Sequence, residues 1–369
     1  IISKVYKRQP LLVYSHYVFY GGIKMIRFNN DYSEICHDRI LEKMTAIKED
    51  QYCGYGEDEV CLEAAEIIKK LIGREDADVH FLVGGTQTNL TVITAALRPH
   101  QCAVCADTGH INVHETGAIE ATGHKVYAIP SPDGKVKAED IRELHKKHWA
   151  DGSHEHIAQP KLVYISDSTE IGTIYNKKEL EDIYAVCREC GMYLFVDGAR
   201  LGYALSSPEN DIDIKTLANN CDVFYIGGTK GGAMFGEAVV ILNDALKEDF
   251  RYIIKQRGGM LAKGWLLGVQ FGELLRDGLY FELAANADRL AFKIRDALKE
   301  AGFKMFAESP TNQQFVILPD DVLEELSKKY VFSYQERYDE KSSVLRICTS
   351  WATKEENVDS LVKDILSFK

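Results

Sequence analysis

The sequence predicts an α/β protein with a mostly parallel β-sheet sandwiched by helices and a smaller C-terminal α+β domain. Strand-like and helix-like segments alternate as far as residue 250, which is typical of parallel strands joined by covering helices. The strand-like segments are mostly apolar, as expected of strands that are buried on both faces. A chain of 369 residues is long enough for about two domains.

The first clear helix is predicted over residues 57–73, where apolar residues recur at helical spacing. Gly73 is a typical residue for the end of such a helix. The apolar positions of this helix are Val60, Ala64, Ile67, Ile68 and Leu71. The segments that follow are, in order, strand 78–83, helix 86–97, strand 103–107, strand 125–130, helix 138–149, strand 161–166, helix 178–190, strand 193–198, strand 222–228 and strand 238–242.

The pattern changes after the last of these strands. Residues 245–300 are predicted to be helical, and residues 303–369 mix short strands with helices. The short strands are predicted at 314–319 and 344–350, and the helices at 322–329 and 354–367. We therefore expect a large domain over residues 25–250 and a small C-terminal domain over residues 251–369.

The first 24 residues differ from the rest of the sequence. They are basic and aromatic, they lack clear periodicity, and they precede the regular segment that begins at Met25. We interpret residues 1–24 as an N-terminal extension in front of the folded domain. The alternative is that they add an edge element to it.

The overall charge limits the classes of partner. The chain has 44 Lys and Arg against 56 Asp and Glu, a net charge of −12, which argues against nucleic acid or an anionic membrane as the main partner. A basic pocket for one small anion remains compatible with this charge. No apolar run reaches the length of a membrane span.

The nine cysteines form an odd set in a long chain, which favours a reducing cytoplasm over a disulfide scaffold. Two C-x-x-C pairs occur, but they lie far apart and lack zinc-ribbon spacing. We expect Cys102, Cys105, Cys187 and Cys190 to be small buried side chains or bystanders, and we expect no metal site.

Lys230 is the first candidate for chemistry. It lies between glycines just past an apolar strand, in GGTKGGA (227–233), where glycines allow close approach of a ligand or of the backbone. A lysine amine becomes a nucleophile where its surroundings favour the neutral form or a Schiff base. The alternative is an ordinary loop lysine beside a turn.

A second candidate is the turn VGGTQTN (83–89), where a predicted strand ends and a helix begins. The N–H groups and dipole at a helix N-terminus suit a phosphate. The alternative for Thr86 is a helix cap made by its hydroxyl.

Asp197 ends the apolar strand in LFVDGAR (194–200), and the carboxyl end of such a strand is where ligands bind in open α/β sheets. If the strand continues, Asp197 and Ala199 face the same side, so one would contact the nitrogen of a ring and the other its face. A cofactor with a phosphate, a ring nitrogen and an aldehyde would use the helix N-terminus, Asp197 and Lys230. That cofactor is pyridoxal 5'-phosphate.

In combination and in order, six segments resemble the threonine aldolase and aromatic amino acid β-eliminating lyase family of fold-type I pyridoxal-phosphate enzymes. The resemblance extends from about Met25 to the C-terminus. The segments are QYCGYGED (51–58), VGGTQTN (83–89), DTGHINVHETGAI (107–119), LFVDGAR (194–200), GGTKGGA (227–233) and RGGM (257–260).

The resemblance implies a role for each matching cofactor residue. Lys230 would form the Schiff base with the cofactor, and Asp197 would contact the pyridine nitrogen. Gly85 and Thr86 would cradle the phosphate with help from Thr229. His110 would stack on the ring, with Glu115 as the acid that follows it.

The same resemblance assigns residues to the substrate. Arg200 and Arg346 would bind the substrate carboxylate, and His156 would lie near the substrate hydroxyl. Tyr55 would reach the active site of a neighbouring subunit, in a homodimer or homotetramer with shared sites. The sequence by itself also allows Arg200 to pair with Asp197, His156 to be a loop residue, and His110, His114 and Glu115 to imitate a metal triad.

The expected reaction is cleavage of L-threonine or L-allo-threonine, or of related β-hydroxy amino acids, to glycine and an aldehyde. Two departures from the family pattern leave other outcomes open: SDSTEIGTIY (166–175) replaces a segment rich in Glu, Asn, Thr and His, and the glycine-rich stretch at 258–263 has lost its arginine, with Lys263 a shifted replacement at best. The alternatives are a β-eliminating lyase or racemase on the same scaffold, and a non-catalytic protein that binds pyridoxal phosphate.

Overall fold

The structure is a computed structural model that describes residues 25–369; the predicted extension 1–24 lies outside the described residues. The strands are β1 (Ile26–Arg27), β2 (Asp78–Leu82), β3 (Gln101–Ala106), β4 (Lys125–Ile129), β5 (Gln159–Ser166), β6 (Tyr193–Asp197), β7 (Val223–Gly227), β8 (Glu237–Ile241), β9 (Met305–Ala307), β10 (Gln313–Pro319), β11 (Tyr330–Val331), β12 (Ser333–Arg337) and β13 (Ser342–Cys348).

The α-helices alternate with these strands in the first part of the chain and dominate its middle. They are α1 (Asp38–Ala46), α2 (Glu59–Ile72), α3 (Gly85–Ala96), α4 (His110–Val113), α5 (Ala138–Ala150), α6 (Lys177–Glu189), α7 (Leu201–Ser206), α8 (Ile214–Asn219), α9 (Phe250–Gln256), α10 (Trp265–Leu275), α11 (Leu279–Glu300), α12 (Asp320–Leu326) and α13 (Glu355–Leu366).

The main sheet has seven strands in the order β2-β8-β7-β6-β5-β3-β4. β8 is antiparallel to both of its neighbours, and every other pair in this sheet is parallel. The predicted mostly parallel sheet is therefore confirmed. The carboxyl ends of β5, β6 and β7 lie at one edge, where Asp197 and the Lys230 loop come together.

Both faces of this sheet are covered, as the apolar strands predict. Leu194 and Val196 of β6 belong to the core on one face, and Phe195 between them belongs to the core on the other. This alternation follows from the two-residue period of a strand. The sheet is therefore sandwiched between two packed layers.

Helix α2 forms as its periodicity predicts. Asp58 caps its N-terminus by accepting from Cys61 N, and Gly73 ends it with φ of 68°. Ala64, Ile68 and Ile72 are buried, so the apolar stripe faces the core of the large domain.

The predicted helical stretch after residue 245 is broken around Gly258, which has φ of 74°, and again before α11. Phe271 and Leu274 of α10 pack in the core of the large domain, whereas Leu290 and Ile294 of α11 pack with Phe28 in a separate core. We therefore propose a domain boundary within α11, later than the predicted residue 250.

The C-terminal part has its own antiparallel sheet in the order β12-β13-β10-β9. A two-stranded parallel pair, β1 with β11, joins the start of the described chain to it. These strands and α11, α12 and α13 form the α+β unit that the sequence predicts.

In the described part of the chain, no helix is long and apolar enough to cross a membrane. Residues 25–369 contain no group of three or more His, Cys, Asp and Glu side chains that could hold a metal ion. The nine cysteines are free thiols, and Cys102, Cys105 and Cys187 are buried as expected.

Candidate active site

Asp197 is the last residue of β6 and pairs in register with Ser166 of β5. The chain turns sharply after it because Gly198 lies against the next strand. A Cβ atom on Gly198 would lie 1.8 Å from the carbonyl oxygen of Tyr225, so no other residue fits without moving the backbone. This contact explains the glycine in VDGAR and places Asp197 at the edge of the sheet.

The Asp197 carboxylate is only 4% exposed and accepts four hydrogen bonds. The hydroxyls of Tyr164 and Tyr225 donate at 2.5 Å each, and Asn89 Nδ2 and the backbone N–H of Ala199 donate at 3.0 Å. Burial by itself would raise the pKa of Asp197, but nearby His110 and the donated hydrogen bonds outweigh it and lower the pKa. Asp197 is therefore held as a charged acceptor.

A hydrogen-bonded chain joins Asp197 to His110. Asn89 Nδ2 also contacts Glu115 Oε1 at 2.7 Å, and the same carboxylate oxygen lies 2.7 Å from His110 Nδ1. The backbone N–H of His110 donates to Glu170 Oε1 at 2.8 Å. The Glu115 side chain is fully buried, whereas the His110 side chain is 35% exposed. The ring is therefore anchored at one nitrogen and partly accessible.

Lys230 lies in the loop that follows β7. Its backbone carbonyl accepts from the Tyr203 hydroxyl at 2.6 Å, and a Cβ atom on Gly231 would lie 2.3 Å from the Tyr280 ring. The glycine after the lysine is therefore required by packing. Burial, with a further contribution from Arg200, lowers the pKa of Lys230, which favours a nucleophilic amine.

The glycine loop lies beside the same aspartate network. Gly84 is the N-cap of α3 and no side chain caps this helix, so the structure does not show the capping role considered for Thr86. A Cβ atom on Gly85 would lie 3.1 Å from the hydroxyl of Tyr225, the same hydroxyl that donates to Asp197. The helix N-terminus thus faces the site with its N–H groups open to an anion.

Thr229 is oriented differently from its predicted role at a phosphate. Its hydroxyl donates to Glu237 Oε1 at 2.9 Å and accepts from the backbone N–H of Gly236 at 3.0 Å. Because the hydroxyl hydrogen is directed at Glu237, Thr229 anchors the lysine loop in this structure.

Arg200 pairs with Asp31 rather than with Asp197. Its Nε lies 2.8 Å from Asp31 Oδ2 and its Nη2 lies 3.1 Å from Asp31 Oδ1. Asn312 also donates to Asp31, at 3.0 Å. Burial would raise the pKa of Asp31, but Arg200 and Lys230 outweigh it and lower the pKa to about 2. The aspartate therefore fixes one edge of the guanidinium.

Arg346 lies on β13 and is held by residues close in sequence to Asp31 and Asn312, the two residues that form the Arg200 site. Its Nη1 donates to Gln313 Oε1 and its Nη2 donates to the carbonyl oxygen of Asn29, both at 3.2 Å. Its Nε is buried without a hydrogen-bond partner in the described residues. A free buried donor of this kind suits an anionic ligand.

The structure does not bring His156 to this site within the chain. His156 is exposed and precedes the amino end of β5, whereas Asp197 lies beside the carboxyl end. The eight residues of β5 span roughly 23 Å at about 3.3 Å per residue. The predicted catalytic role of His156 therefore needs a second copy of the chain.

Tyr55 is also separate from the lysine loop. It is 46% exposed, and its ring lies under Lys255 Nζ, which is 4.9 Å from the ring centroid. Tyr55 lines a cavity of about 480 Å³ together with Arg251 and Met260, and Lys230 is not among the residues that line it. Its predicted contact with substrate stays a prediction about a neighbouring subunit.

The sequence did not reveal several residues of the site. They are Asp31, Asn89, Tyr164, Glu170, Tyr225 and Glu237. A polar side chain two residues before the carboxyl end of an apolar strand is a usable signal for Tyr164 and Tyr225. Asp31 gives no such signal, because its partner Arg200 is 169 positions away.

The residues present fit pyridoxal phosphate. A buried carboxylate with a lowered pKa suits a protonated ring nitrogen, an open histidine ring suits its face, and a buried amine with a lowered pKa suits its aldehyde. The uncapped N-terminus of α3 suits its phosphate. The donor set therefore matches each functional group of this cofactor.

This fold and site define the class of fold-type I pyridoxal-phosphate enzymes. Within that class, the chain belongs to the β-eliminating lyase family, whose profile matches residues 33–321. It is similar to the low specificity L-threonine aldolase of Pseudomonas sp., with 30% identity over 91% of this chain and 96% of the relative. Both the expected family and the expected fold class are thereby confirmed.

Solved structures agree with this assignment. A threonine aldolase structure from Leishmania major has a TM-score of 0.90 and 48% identity, and the match covers 92% of this chain and 98% of that one. A Thermus thermophilus aspartate aminotransferase mutant has a TM-score of 0.67 at 15% identity, covering 94% of this chain and 92% of that chain. The second likeness shows the fold alone.

Proposed function

We propose that this protein is a pyridoxal-phosphate-dependent aldolase that cleaves L-threonine, L-allo-threonine or related β-hydroxy amino acids to glycine and an aldehyde. The observation that carries the proposal is the buried Asp197 carboxylate, held by neutral donors at the sheet edge that also carries Lys230. The names of relatives with 30% and 48% identity support the substrate class.

Lys230 would hold the cofactor covalently, with Asp197 at the ring nitrogen, Ala199 and His110 at the ring faces, and Gly85, Thr86 and Thr229 near the phosphate. When bound, the cofactor supplies an electron sink for the bond that breaks at the substrate Cα. Asp197 would hold a proton on the ring nitrogen, because its lowered pKa keeps the carboxylate ionised at neutral pH.

Arg200 and Arg346 would bind the substrate carboxylate. Asp31 occupies Nε and Nη2 of Arg200, which leaves the Nη1 side of the planar guanidinium for a ligand. With the carboxylate in place, two arginines face two anions, so the buried charges balance. This arrangement would orient the amino acid and determine which bond at the substrate Cα is perpendicular to the cofactor ring.

A base must take the proton of the substrate hydroxyl as the carbon–carbon bond breaks. Glu115 holds His110 at Nδ1, so the other side of the ring is free to hold a water for this purpose. His156 of a second copy is the alternative. We further propose a homodimer or homotetramer with shared sites, in which Tyr55 of one subunit completes the site of another, and a cytoplasmic location.

The experiment is to incubate the purified protein and pyridoxal phosphate with a panel of β-hydroxy amino acids. Glycine and an aldehyde are expected for threonine or allo-threonine. Pyruvate or another keto acid with ammonia would instead show β-elimination. The divergent segment 166–175, which keeps this second candidate open, contacts the site because Glu170 accepts from the backbone N–H of His110 at 2.8 Å.

A further inference from the structure

A buried carboxylate beside the Lys230 loop has no part in the reaction described above. Glu237 is the first residue of β8 and is 3% exposed. It pairs in register with Gly227 on one side and with Leu82 on the other. Those two positions lead into the lysine loop and the glycine loop, so Glu237 lies between the two loops proposed to hold the cofactor.

Both oxygens of Glu237 are tied to the lysine loop. Oε2 accepts from the backbone N–H of Gly228 at 3.0 Å, and Oε1 accepts from the Thr229 hydroxyl at 2.9 Å. Thr229 in turn accepts from the backbone N–H of Gly236 at 3.0 Å. One carboxylate therefore fixes the two residues that precede Lys230. Burying a carboxylate at the start of an apolar strand is costly, and these hydrogen bonds give Glu237 a structural reason to be there.

Glu237 is also one of the charged groups that act on Lys230. Burial and Arg200 act to deprotonate Lys230, while the nearby anions act in the opposite direction. Burial raises the pKa of Glu237, and the hydrogen bond from Thr229 and the charge of Lys230 oppose this increase. The ionisable groups that influence Lys230 or are influenced by it are Asp31, His114, Asp197, Arg200, Glu237 and Cys348.

We propose that Glu237 is a positioning residue, which fixes the Lys230 loop through Gly228 and Thr229 and, when it is ionised, favours the protonated form of the Lys230 nitrogen. The inference rests on the proposed function, since that nitrogen is the one that joins the cofactor. Glu237 would thus influence both the position of the Lys230 loop and the protonation of the Lys230 nitrogen.

The test is a pH titration of the visible absorption band of the holoenzyme in Glu237→Gln. This substitution keeps the size of the side chain and removes its charge. The pH midpoint of the band should fall by up to about one unit, because the cation loses a neighbour that is an anion in the pH range where Glu237 is ionised. A folded, cofactor-loaded variant whose midpoint equals that of the wild type would overturn the proposal.

Asp222→Asn is the matched control. Asp222 is a buried acid at the opposite end of the same sheet, where it accepts from Leu194 N at 2.8 Å. This control should lower the thermal denaturation midpoint and leave the pH midpoint of the band unchanged. A shift of the band in both variants would show a general effect of core damage and would also overturn the proposal.

Failure of this inference is distinguishable from failure of the proposed function. A wild type without the band, or a band that survives in Lys230→Ala, removes the proposed function itself. A normal wild-type band with an unchanged Glu237→Gln midpoint removes the role of Glu237 alone. If Glu237→Gln does not fold, Glu237→Asp is the second variant, because its carboxylate is one methylene farther from the loop. It should lower the pH midpoint by a smaller amount, and an unchanged midpoint would overturn the proposal.

Discussion

Two buried aspartates lie at opposite ends of the main sheet and differ in what surrounds them. Asp222, just before the amino end of β7, accepts from Leu194 N and Asn243 Nδ2 and has Arg188 as its cation at 3.4 Å. Asp197, at the carboxyl end of β6, is bonded to two tyrosine hydroxyls, an amide and a backbone N–H, none of which is a cation.

The difference distinguishes a structural carboxylate from one prepared for a ligand. Asp222 joins β6 to the segment after β8, and the chain itself supplies its positive charge. Asp197 is held by neutral donors, because its counter-ion is proposed to be the ring nitrogen of the cofactor. Asp222 and Asp197 are thus almost equally buried, at 1% and 4% exposure. Asp222 has its counter-ion within the chain, whereas that of Asp197 is proposed to be a ligand.

The largest effect is expected for Lys230→Ala. Without the amine, no covalent link to the cofactor forms, so turnover and the visible band of the holoenzyme should both be lost. Absorption spectra and a glycine-release assay check this. Lys178→Ala, at an exposed salt bridge with Asp182, is the control and should match the wild type; a Lys230→Ala protein that keeps band and turnover contradicts the assignment.

The comparison of the two aspartates gives the second prediction. Asp197→Asn should still bind cofactor but lose at least about a hundredfold in kcat, because an amide does not hold the ring nitrogen protonated. Asp222→Asn should keep kcat and lose about 1–2 kcal/mol of unfolding free energy, because the amide can no longer accept from both Leu194 N and Asn243 Nδ2. Cofactor content, kcat and denaturant unfolding are measured for both. Full activity in Asp197→Asn would remove the distinction.

A smaller effect is expected for the residue that orients Arg200. Asp31→Asn removes a bidentate ion pair that acts on substrate binding, so KM should rise about tenfold, or about 1.4 kcal/mol, with a smaller change in kcat. Steady-state kinetics with threonine check the split. A fall in kcat at unchanged KM would show that Asp31 acts elsewhere.

The smallest effect concerns assembly. Tyr55→Ala should reduce activity, and mixing it with inactive Lys230→Ala should restore up to about a quarter of the wild-type rate if two-fold pairs share their sites. Activity is assayed after subunit exchange, which is verified separately with a labelled subunit. Proven exchange without any gain, with Tyr55→Ala impaired, would mean that Tyr55 serves its own chain.

The sequence was sufficient to predict those site residues that lie within a recognisable local segment. Apolar strands followed by DGAR and TKG predict the sheet and place Asp197 and Lys230 at its edge, and the structure brings these two residues into one site with His110. The glycines beside Lys230 were predicted to allow close approach, and the contact of Gly231 with Tyr280 gives the cause.

Other features depend on contacts that no local pattern encodes. Arg200 meets Asp31 through a fold that joins distant segments, and Glu237 lies one residue before the strand predicted at 238–242. The proposed boundary within α11 depends on which core α10 packs against. His156 lies close to a strand of the site in sequence but at its opposite end in space, which only the parallel pairing of β5 and β6 reveals.

The central claim is that the counter-ion of Asp197 is a protonated ring nitrogen of the cofactor. The most direct measurement is the ¹⁵N NMR chemical shift of ¹⁵N-labelled pyridoxal phosphate bound to the wild type, Asp197→Asn and Asp222→Asn. We expect the signal of a protonated ring nitrogen in the wild type and in Asp222→Asn, and that of an unprotonated nitrogen in Asp197→Asn. The same signal in all three proteins would contradict the claim.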